Sequence, residues 1–384
     1  MFNQKKITQL QQLPTPFYVY DTGLLDRTLS AAKTASEKHG YHVHYALKAN
    51  SNPEILERVR KAGFGADCVS GNEIKRALEC AFPASEIVFA GVGKSDAEIR
   101  FALEHDIFCF NCESLPEMEV IEQLARSMNK KARIALRINP NVHANTHHYI
   151  TTGLEENKFG ISIHELPSVI EALGELKQLE LIGLHFHIGS QITDLSVFRS
   201  LCMRVNELQE WFASRRIALQ HINVGGGLGV NYHEPDAEAI PDFETFFGIF
   251  AKFLEVRHGQ QVHFELGRAF VAQCGALIAR VLYIKKGVQT NFAILDAGMT
   301  ELIRPALYQA YHKIENLTPS PGATITRYDV VGPVCESSDC FGKAMDLPEL
   351  NRGDLVAVRT AGAYGEVMAS GYNLRERGNS LYFS

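Results

Sequence analysis

No apolar run in the chain approaches the roughly 20 residues that a membrane-spanning helix requires. A basic excess is also missing: 38 Lys and Arg stand against 44 Asp and Glu, a net charge of −6. That balance gives no footprint for nucleic acid or for an anionic membrane surface. The start, Met1-Phe2-Asn3-Gln4-Lys5-Lys6, runs into polar residues without the apolar core of a signal peptide. Among eight cysteines there is one C-x-x-C, Cys109 and Cys112, and no second pair to complete a metal site. It falls inside a short strand-like run, so packing is the first reading of it and metal or redox work the second. Scattered cysteines in a chain this long point to a reducing cytoplasm.

What is present is ordinary globular composition, 46% apolar and 21% charged over 384 residues, enough for two domains. Strand-like runs recur at His42–Lys48, Gly65–Ser70, Ile87–Ala90, Phe108–Asn111, Ala132–Asn139, Leu181–Gly189, His221–Gly226 and Val262–Gly267. Helical patterns lie between most of them, as at Glu54–Lys61, Ile74–Cys80 and Leu195–Phe212, and capping boxes are expected at Ser70 with Glu73 and Ser95 with Glu98. This rhythm predicts an α/β fold, a (β/α)8 TIM barrel. After Gly267 short strands follow with little helix, at Ala276–Lys285, Phe292–Asp296, Arg327–Val331 and Leu355–Thr360, which reads as an all-β domain. The run Phe17–Tyr20 could join it. The expected division is therefore 1–22 with the β-domain, 23–267 the barrel and 268–384 the β-domain. Two long loops, Asn141–Gly160 and Gly229–Pro241, follow barrel strands and are candidates to cover a site.

Alternation sorts each barrel strand into two faces. Ile134, Leu136 and Ile138, then Ile182, Leu184, Phe186 and Ile188, then Val262, Phe264 and Leu266 form the apolar set expected to face the helices. The other set holds Arg133, Arg137, His185, His187, His221, Asn223, His263 and Glu265. A barrel lined this way needs a polar ligand or a tight internal network.

In barrel enzymes the chemistry sits at the C-terminal strand ends. Here those ends carry Lys48, Asp67, Arg137, His187, Gly225-Gly226-Gly227 and Glu265. Lys48, behind small Ala46, reads either as a buried lysine paired with a carboxylate or as the amine of a Schiff base with an aldehyde cofactor. The second reading brings the other ends into use, because together they are what pyridoxal 5'-phosphate needs. Gly226 and Gly227 offer backbone N–H groups for a phosphate, and Ser190 could add a hydroxyl. Glu265 would pair with the pyridinium nitrogen, and His187 would stack on the ring or, alternatively, serve as a core histidine.

Seven motifs, Tyr45–Asn50 (YALKAN), His185–Gln191 (HFHIGSQ), Gly225–Gly229 (GGGLG), Glu265–Arg268 (ELGR), Asp296–Tyr308 (DAGMTELIRPALY), Gly332–Asp339 (GPVCESSD) and Gly362–Gly365 (GAYG), occur in order along nearly the whole chain. Together they resemble the pyridoxal-phosphate-dependent decarboxylases of the alanine racemase-like fold, most of all the branch that converts meso-2,6-diaminopimelate to L-lysine and carbon dioxide. Leu266, where that family usually has proline, and Glu366-Val367-Met368 after Gly365 are departures.

The resemblance implies further roles. Lys48 and Cys335 are the catalytic pair, Cys335 returning a proton to Cα. Asp67, Gly267, Arg268 and Tyr364 join the cofactor residues. Arg268, Arg304, Tyr308, Glu336 and Tyr364 bind a small diamino-acid substrate, with Glu336 at the distal ammonium. Cys335 and Glu336 come from a second copy, which implies a head-to-tail homodimer with shared sites in the cytoplasm. Arg304 and Glu336 together suit a substrate with a distal carboxylate and a distal amine, which favours diaminopimelate over ornithine or arginine. A racemase would have no such reader, and a non-catalytic relative would tend to lose Lys48 or Cys335.

Overall fold

The computed structural model describes residues 1–142 and 158–384. The loop expected over 141–160 falls largely outside them. The described residues divide into two compact units, one of residues 29–229 and 242–267, the other of residues 1–28, 230–241 and 268–384.

The chain opens with a helix at Gln4–Leu10 and β1 (Phe17–Asp21). The barrel strands follow: β2 (His42–Ala46), β3 (Gly65–Cys68), β4 (Ile87–Phe89), β5 (Cys109–Cys112), β6 (Ala132–Arg137), β7 (Leu179–His185), β8 (His221–Asn223) and β9 (Gln261–Leu266). All pair in parallel in chain order, and β9 pairs with β2 to close the barrel. It is a (β/α)8 barrel, as expected. Several strands end earlier than their apolar runs. β8 stops at Asn223 because Gly225 turns left-handed at φ +70°, and β3 stops because Ser70 becomes a helix N-cap. At Ser95 the capping box is complete. At Ser70 only half forms: Ser70 accepts from Glu73 N–H, but the Glu73 carboxylate takes the Val69 N–H at 2.7 Å instead.

The faces sort largely as the alternation predicts. Phe264 points outward and is fully buried against the helix Phe243–Phe253, whose Phe246, Phe247 and Phe250 rings lie 5.7, 4.9 and 4.9 Å from it. Each such side chain contributes about 1.5–3 kcal/mol by burial, and this wedge fixes the neighbouring Glu265 pointing into the barrel. Ile182 departs from its expected face. An irregularity in the β6–β7 register turns it onto Val88, Cys109 and Ala135, so the inner wall includes one apolar patch beside its polar groups.

In the second unit β10 (Gly275–Lys286) is central. Its first half pairs with β1 and with β15 (Leu355–Val358), and its second half with β11 (Asn291–Leu295). β12 (Ile314–Asn316) adds to β15, β13 (Ile325–Val331) to β11, β14 (Cys340–Pro348) to β13, and β16 (Asn379–Phe383) to β1. Phe17, Val19, Ala276, Ile278, Leu355 and Ala357 form its core at period-two spacing. β12, β14 and β16 have no counterpart in the sequence reading. β12 has three residues, β14 contains Gly342, Lys343 and a left-handed Ala344, and β16 is only partly buried, so none carries a clear apolar alternation.

Candidate active site

In the barrel unit, β2 ends at Ala46, and Lys48 sits in the short 3-10 turn Leu47–Ala49 that follows, not on the strand as expected. Its side chain is 39% exposed, so it is not the buried lysine of the sequence reading either. Its ammonium lies 3.0 Å from Oδ2 of fully buried Asp67. Burial pushes the Asp67 carboxyl above the ordinary range, Glu265 adds to this, and Lys48 opposes it. Asp67 Oδ1 is buried with no hydrogen-bond partner among the described residues. Gly267 packs against this turn. A Cβ there would lie 3.0 Å from Ala49 Cβ and 3.1 Å from Ala46 Cβ, so any side chain would displace the residues that carry Lys48.

Glu265 stands on β9, the strand next to β2, with His44 in register beside it. Its carboxylate accepts from Asn111 Nδ2 at 3.1 Å and Asn223 Nδ2 at 2.8 Å, and lies 2.9 Å from His185 Nε2. Burial would raise this carboxyl, but His185 and Lys48 outweigh it and hold it below the ordinary range. A carboxylate has about four acceptor positions, so one remains beyond these three contacts. The alternation places His185 and Asn223 on the inner face with Glu265 but gives them no role, and Asn111 is read there only as the end of a strand-like run. His187, assigned to the ring face, is kept neutral by burial and by the charges of Arg137 and Lys48. Arg137 itself pairs with Glu113 at 2.6 Å and has a guanidinium 4.8 Å from the Phe159 ring centre.

The glycine turn follows β8. Gly225 N–H is taken by Asn223 Oδ1 and Gly229 N–H by the Ile192 carbonyl, while Gly226 and Gly227 N–H meet no acceptor among the described residues. The reason for glycine at 226 is the adjacent strand: a Cβ there would lie 1.8 Å from the Glu265 carbonyl oxygen. Ile192 and Leu228 form a parallel bridge, which brings half-buried Ser190 alongside this turn.

In the second unit, Arg268 and Arg304 are both buried, and both donate to the hydroxyl of Tyr232, at 2.5 and 3.0 Å. The Arg268 guanidinium also lies 4.9 Å from the ring centre of Tyr364, a residue held at φ +55°. Tyr308 closes the short helix that Arg304 opens. Cys335 and Glu336 are exposed. Cys335 N–H donates to Asn373 Oδ1, and Glu336 accepts from Tyr372 O–H at 2.7 Å. Asp339 shapes this run by accepting the N–H groups of Met299 and Val334 at 2.6 and 2.7 Å. The segment 230–241, expected as a barrel loop, belongs to this unit. Asp236 pairs with Arg359 at 2.6 Å, and Gln273 donates to the carbonyls of Pro235 and Glu238. Tyr232 was not anticipated. A lone tyrosine in a long loop gives no signal of the arginines it will meet.

Cys109 and Cys112 are both buried on β5, and all eight cysteines are free. No cluster of His, Cys, Asp and Glu among the described residues suits a metal.

The barrel's donor set suits pyridoxal phosphate at three of its groups: an amine for the aldehyde, a carboxylate for the ring nitrogen, and two N–H groups with a hydroxyl for the phosphate. This combination defines a pyridoxal-dependent enzyme of the barrel type. Residues 23–272 match the model of the pyridoxal-binding domain of pyridoxal-dependent decarboxylases. The chain is 59% identical over 371 residues to the diaminopimelate decarboxylase of Bacteroides thetaiotaomicron, covering 96% of each chain. It superposes on the Helicobacter pylori diaminopimelate decarboxylase complexed with L-lysine with a TM-score of 0.92 at 41% identity, covering 100% of this chain and 94% of that one. A Vibrio vulnificus lysine/ornithine decarboxylase shares the fold, with a TM-score of 0.86 at 23% identity over 100% of this chain and 99% of that one. The chain belongs to the diaminopimelate decarboxylase family.

Proposed function

We propose that this carboxy-lyase converts meso-2,6-diaminopimelate to L-lysine and carbon dioxide with the residues assigned below. The reaction is the last step of lysine biosynthesis. The observation that carries the assignment is that Lys48, in the turn that follows β2, and Glu265, on the neighbouring strand β9, bring an amine and an ionised acid to adjacent positions of the barrel.

Bound pyridoxal phosphate supplies an electron sink for the pair released when the Cα–carboxylate bond breaks. The residues around it do the rest. Lys48 would present its amine to the cofactor aldehyde, and Asp67, raised by burial and 3.0 Å from the Lys48 ammonium, is placed to take a proton from it. Glu265, held ionised, would pair with the ring nitrogen. His187 stacks as a neutral ring. Gly226, Gly227 and Ser190 hold the phosphate, while Gly267 sets the turn that carries Lys48. Arg268 and Arg304 hold carboxylates through their planar forks, with Tyr308 beside them. Tyr364 reaches the phosphate or the substrate. Cys335 returns the proton to Cα, and Glu336 holds the distal ammonium.

The exposure of Cys335 and Glu336 supports their service to a second copy in a head-to-tail homodimer. Free cysteines support a reducing cytoplasm as the compartment. No helix among the described residues is long and apolar enough to cross a membrane.

The test is carbon dioxide release from meso-diaminopimelate, ornithine, arginine and lysine side by side. Turnover confined to the first is expected. A preference for ornithine or arginine would overturn the substrate assignment.

A further inference from the structure

Two buried cations side by side need an explanation, and the second unit supplies an unusual one. Arg304 is 6% exposed, and the polar partners of its guanidinium among the described residues are the Tyr232 hydroxyl at 3.0 Å and His312 Nε2 at 2.8 Å. Neither is a carboxylate. Arg268 brings a second guanidinium to the same hydroxyl, at 2.5 Å. The Tyr232 ring lies under both, 5.0 Å from Arg304 and 5.9 Å from Arg268, with His312 edge-on at 5.1 Å.

The protonation pattern follows from donor arithmetic. Arginine only donates, so His312 Nε2 accepts and the imidazole proton sits on Nδ1, where it donates to the Arg359 carbonyl at 2.8 Å. Burial and the Arg304 charge hold His312 neutral, down to about 3. Burial alone would raise the Tyr232 hydroxyl. The charges and hydrogen bonds of Arg268 and Arg304 outweigh it and bring it below 10. The support is closed on itself. Arg359 grips Asp236 through both carboxylate oxygens, at 2.6 and 3.1 Å, and Asp236 lies four residues beyond Tyr232 in the same segment. One arginine therefore orients both the histidine behind Arg304 and the segment that delivers Tyr232.

We propose that Tyr232 is a positioning residue: its oxygen, seated by the Asp236–Arg359–His312 support, holds Arg268 and Arg304 together as a paired receptor for the carboxylate that substrate and product both keep. The inference rests on the diaminopimelate reading and adds to it the residues that set specificity for that carboxylate. A single oxygen with two lone pairs takes one N–H from each guanidinium and offsets their repulsion, while Arg304, whose partners Tyr232 and His312 are both neutral, keeps its attraction for an incoming anion. A glutamate in its place would cancel it.

The experiment compares L-lysine with cadaverine, which differ only in that carboxylate, by calorimetric binding to the holoenzyme. Wild type is expected to favour lysine by roughly tenfold or more, the worth of a charge-assisted pair. Tyr232→Phe, which removes only the hydroxyl, is expected to erase most of this ratio through weaker lysine binding, leave cadaverine binding unchanged, and raise KM for meso-diaminopimelate more than it lowers kcat. Equal weakening of both ligands, or an unchanged ratio, overturns the role of Tyr232. A wild type that binds the two alike overturns the receptor and the substrate reading together. Should Tyr232→Phe fail to fold, His312 gives the second arm. His312→Gln keeps an acceptor for Arg304 and a donor for Arg359 and should retain the ratio, while His312→Ala should lose it. The reverse order, or no difference between the two, overturns the proposal.

Discussion

Glu265 and His185 meet at 2.9 Å inside the barrel, a carboxylate oxygen against Nε2 of an imidazole that is 1% exposed. With Asn111 and Asn223 on the other oxygen, Glu265 is held by three groups from three other strands, β5, β7 and β8. A buried carboxylate is costly unless it is bonded in this way. The arrangement keeps it charged in a place where burial alone would protonate it.

Glu265→Gln keeps the shape and removes the charge. Its amide NH2 would face donors from Asn111, Asn223 or His185, so at least one buried hydrogen bond is lost. The expected result is a fall in kcat of about a hundredfold or more, from loss of a charge that the reaction uses, with cofactor still bound by absorbance. His185→Phe is gentler. Removing the His185 hydrogen bond raises the Glu265 carboxyl toward its burial-dominated value. The acid limb of the kcat profile should therefore move to higher pH. An unmoved limb would show that His185 does not tune Glu265.

Lys48→Ala should abolish fixation of the cofactor by borohydride and reduce turnover at least a thousandfold, since no other amine of the described barrel stands at Asp67. Lys48→Arg should fail equally, because a guanidinium keeps its proton at any working pH. Mass spectrometry after borohydride reduction reads the first effect directly. A cofactor adduct on another lysine would refute the assignment.

Much of the barrel is legible in the sequence because each strand alternates, and the inward parity of His185, Asn223, His263 and Glu265 marks a polar interior. What stayed illegible depended on pairing across the chain. Lys48 was read on a strand because parity continues past Ala46, whereas the chain turns there into a 3-10 segment. Ile182 was placed outside because a register irregularity cannot be read from one strand. Tyr232 and His312 stand 80 residues apart and show their meaning only through Arg304, which both contact. Segment 230–241 looked like a barrel loop because sequence order hides that its anchors, Arg359 and Gln273, lie far downstream.

Two glycine-to-alanine changes should move stability in opposite directions. At Gly226 the new methyl would sit 1.8 Å from the Glu265 carbonyl oxygen, which belongs to backbone and cannot swing aside. Strain of about 1–3 kcal/mol is expected, with weaker cofactor binding because the shift moves both the glycine turn and β9. At Gly248, inside the helix Phe243–Phe253, a methyl meets nothing within 4 Å. Alanine there should add roughly 0.5–1 kcal/mol through helix propensity. Thermal melting of the two variants with and without pyridoxal phosphate separates the effects. A Gly226→Ala protein that melts and binds cofactor like wild type would contradict the packing argument.

Across β2, β9 and β8, three imidazoles form a row that should make the barrel sensitive to acid. His44 Nδ1 lies 3.1 Å from the Glu86 carbonyl and must donate to it, so His44 Nε2 accepts from His263 Nδ1 at 3.0 Å. His263 Nε2 then accepts from His221 Nδ1, also at 3.0 Å, and every proton in the row is placed with all three rings neutral. Phe108 packs on the row, 5.0 Å from His221 and 5.4 Å from His263. Burial lowers His44 and drives His263 well below 6.5, and with the neighbouring cations it takes His221 to about 4. As pH falls below about 6.5, the unfolded chain takes up protons that the folded row refuses, so unfolding is favoured. Stability is thus full above that pH and lost as pH drops toward 4, each histidine contributing at most about 1.4 kcal/mol per pH unit. Urea midpoints at pH 7, 5.5 and 4.5 should fall in that order. His221→Asn, which can still donate to His263 and no longer titrates, should flatten the decline. An identical decline in wild type and His221→Asn would remove His221 as a source of the acid sensitivity.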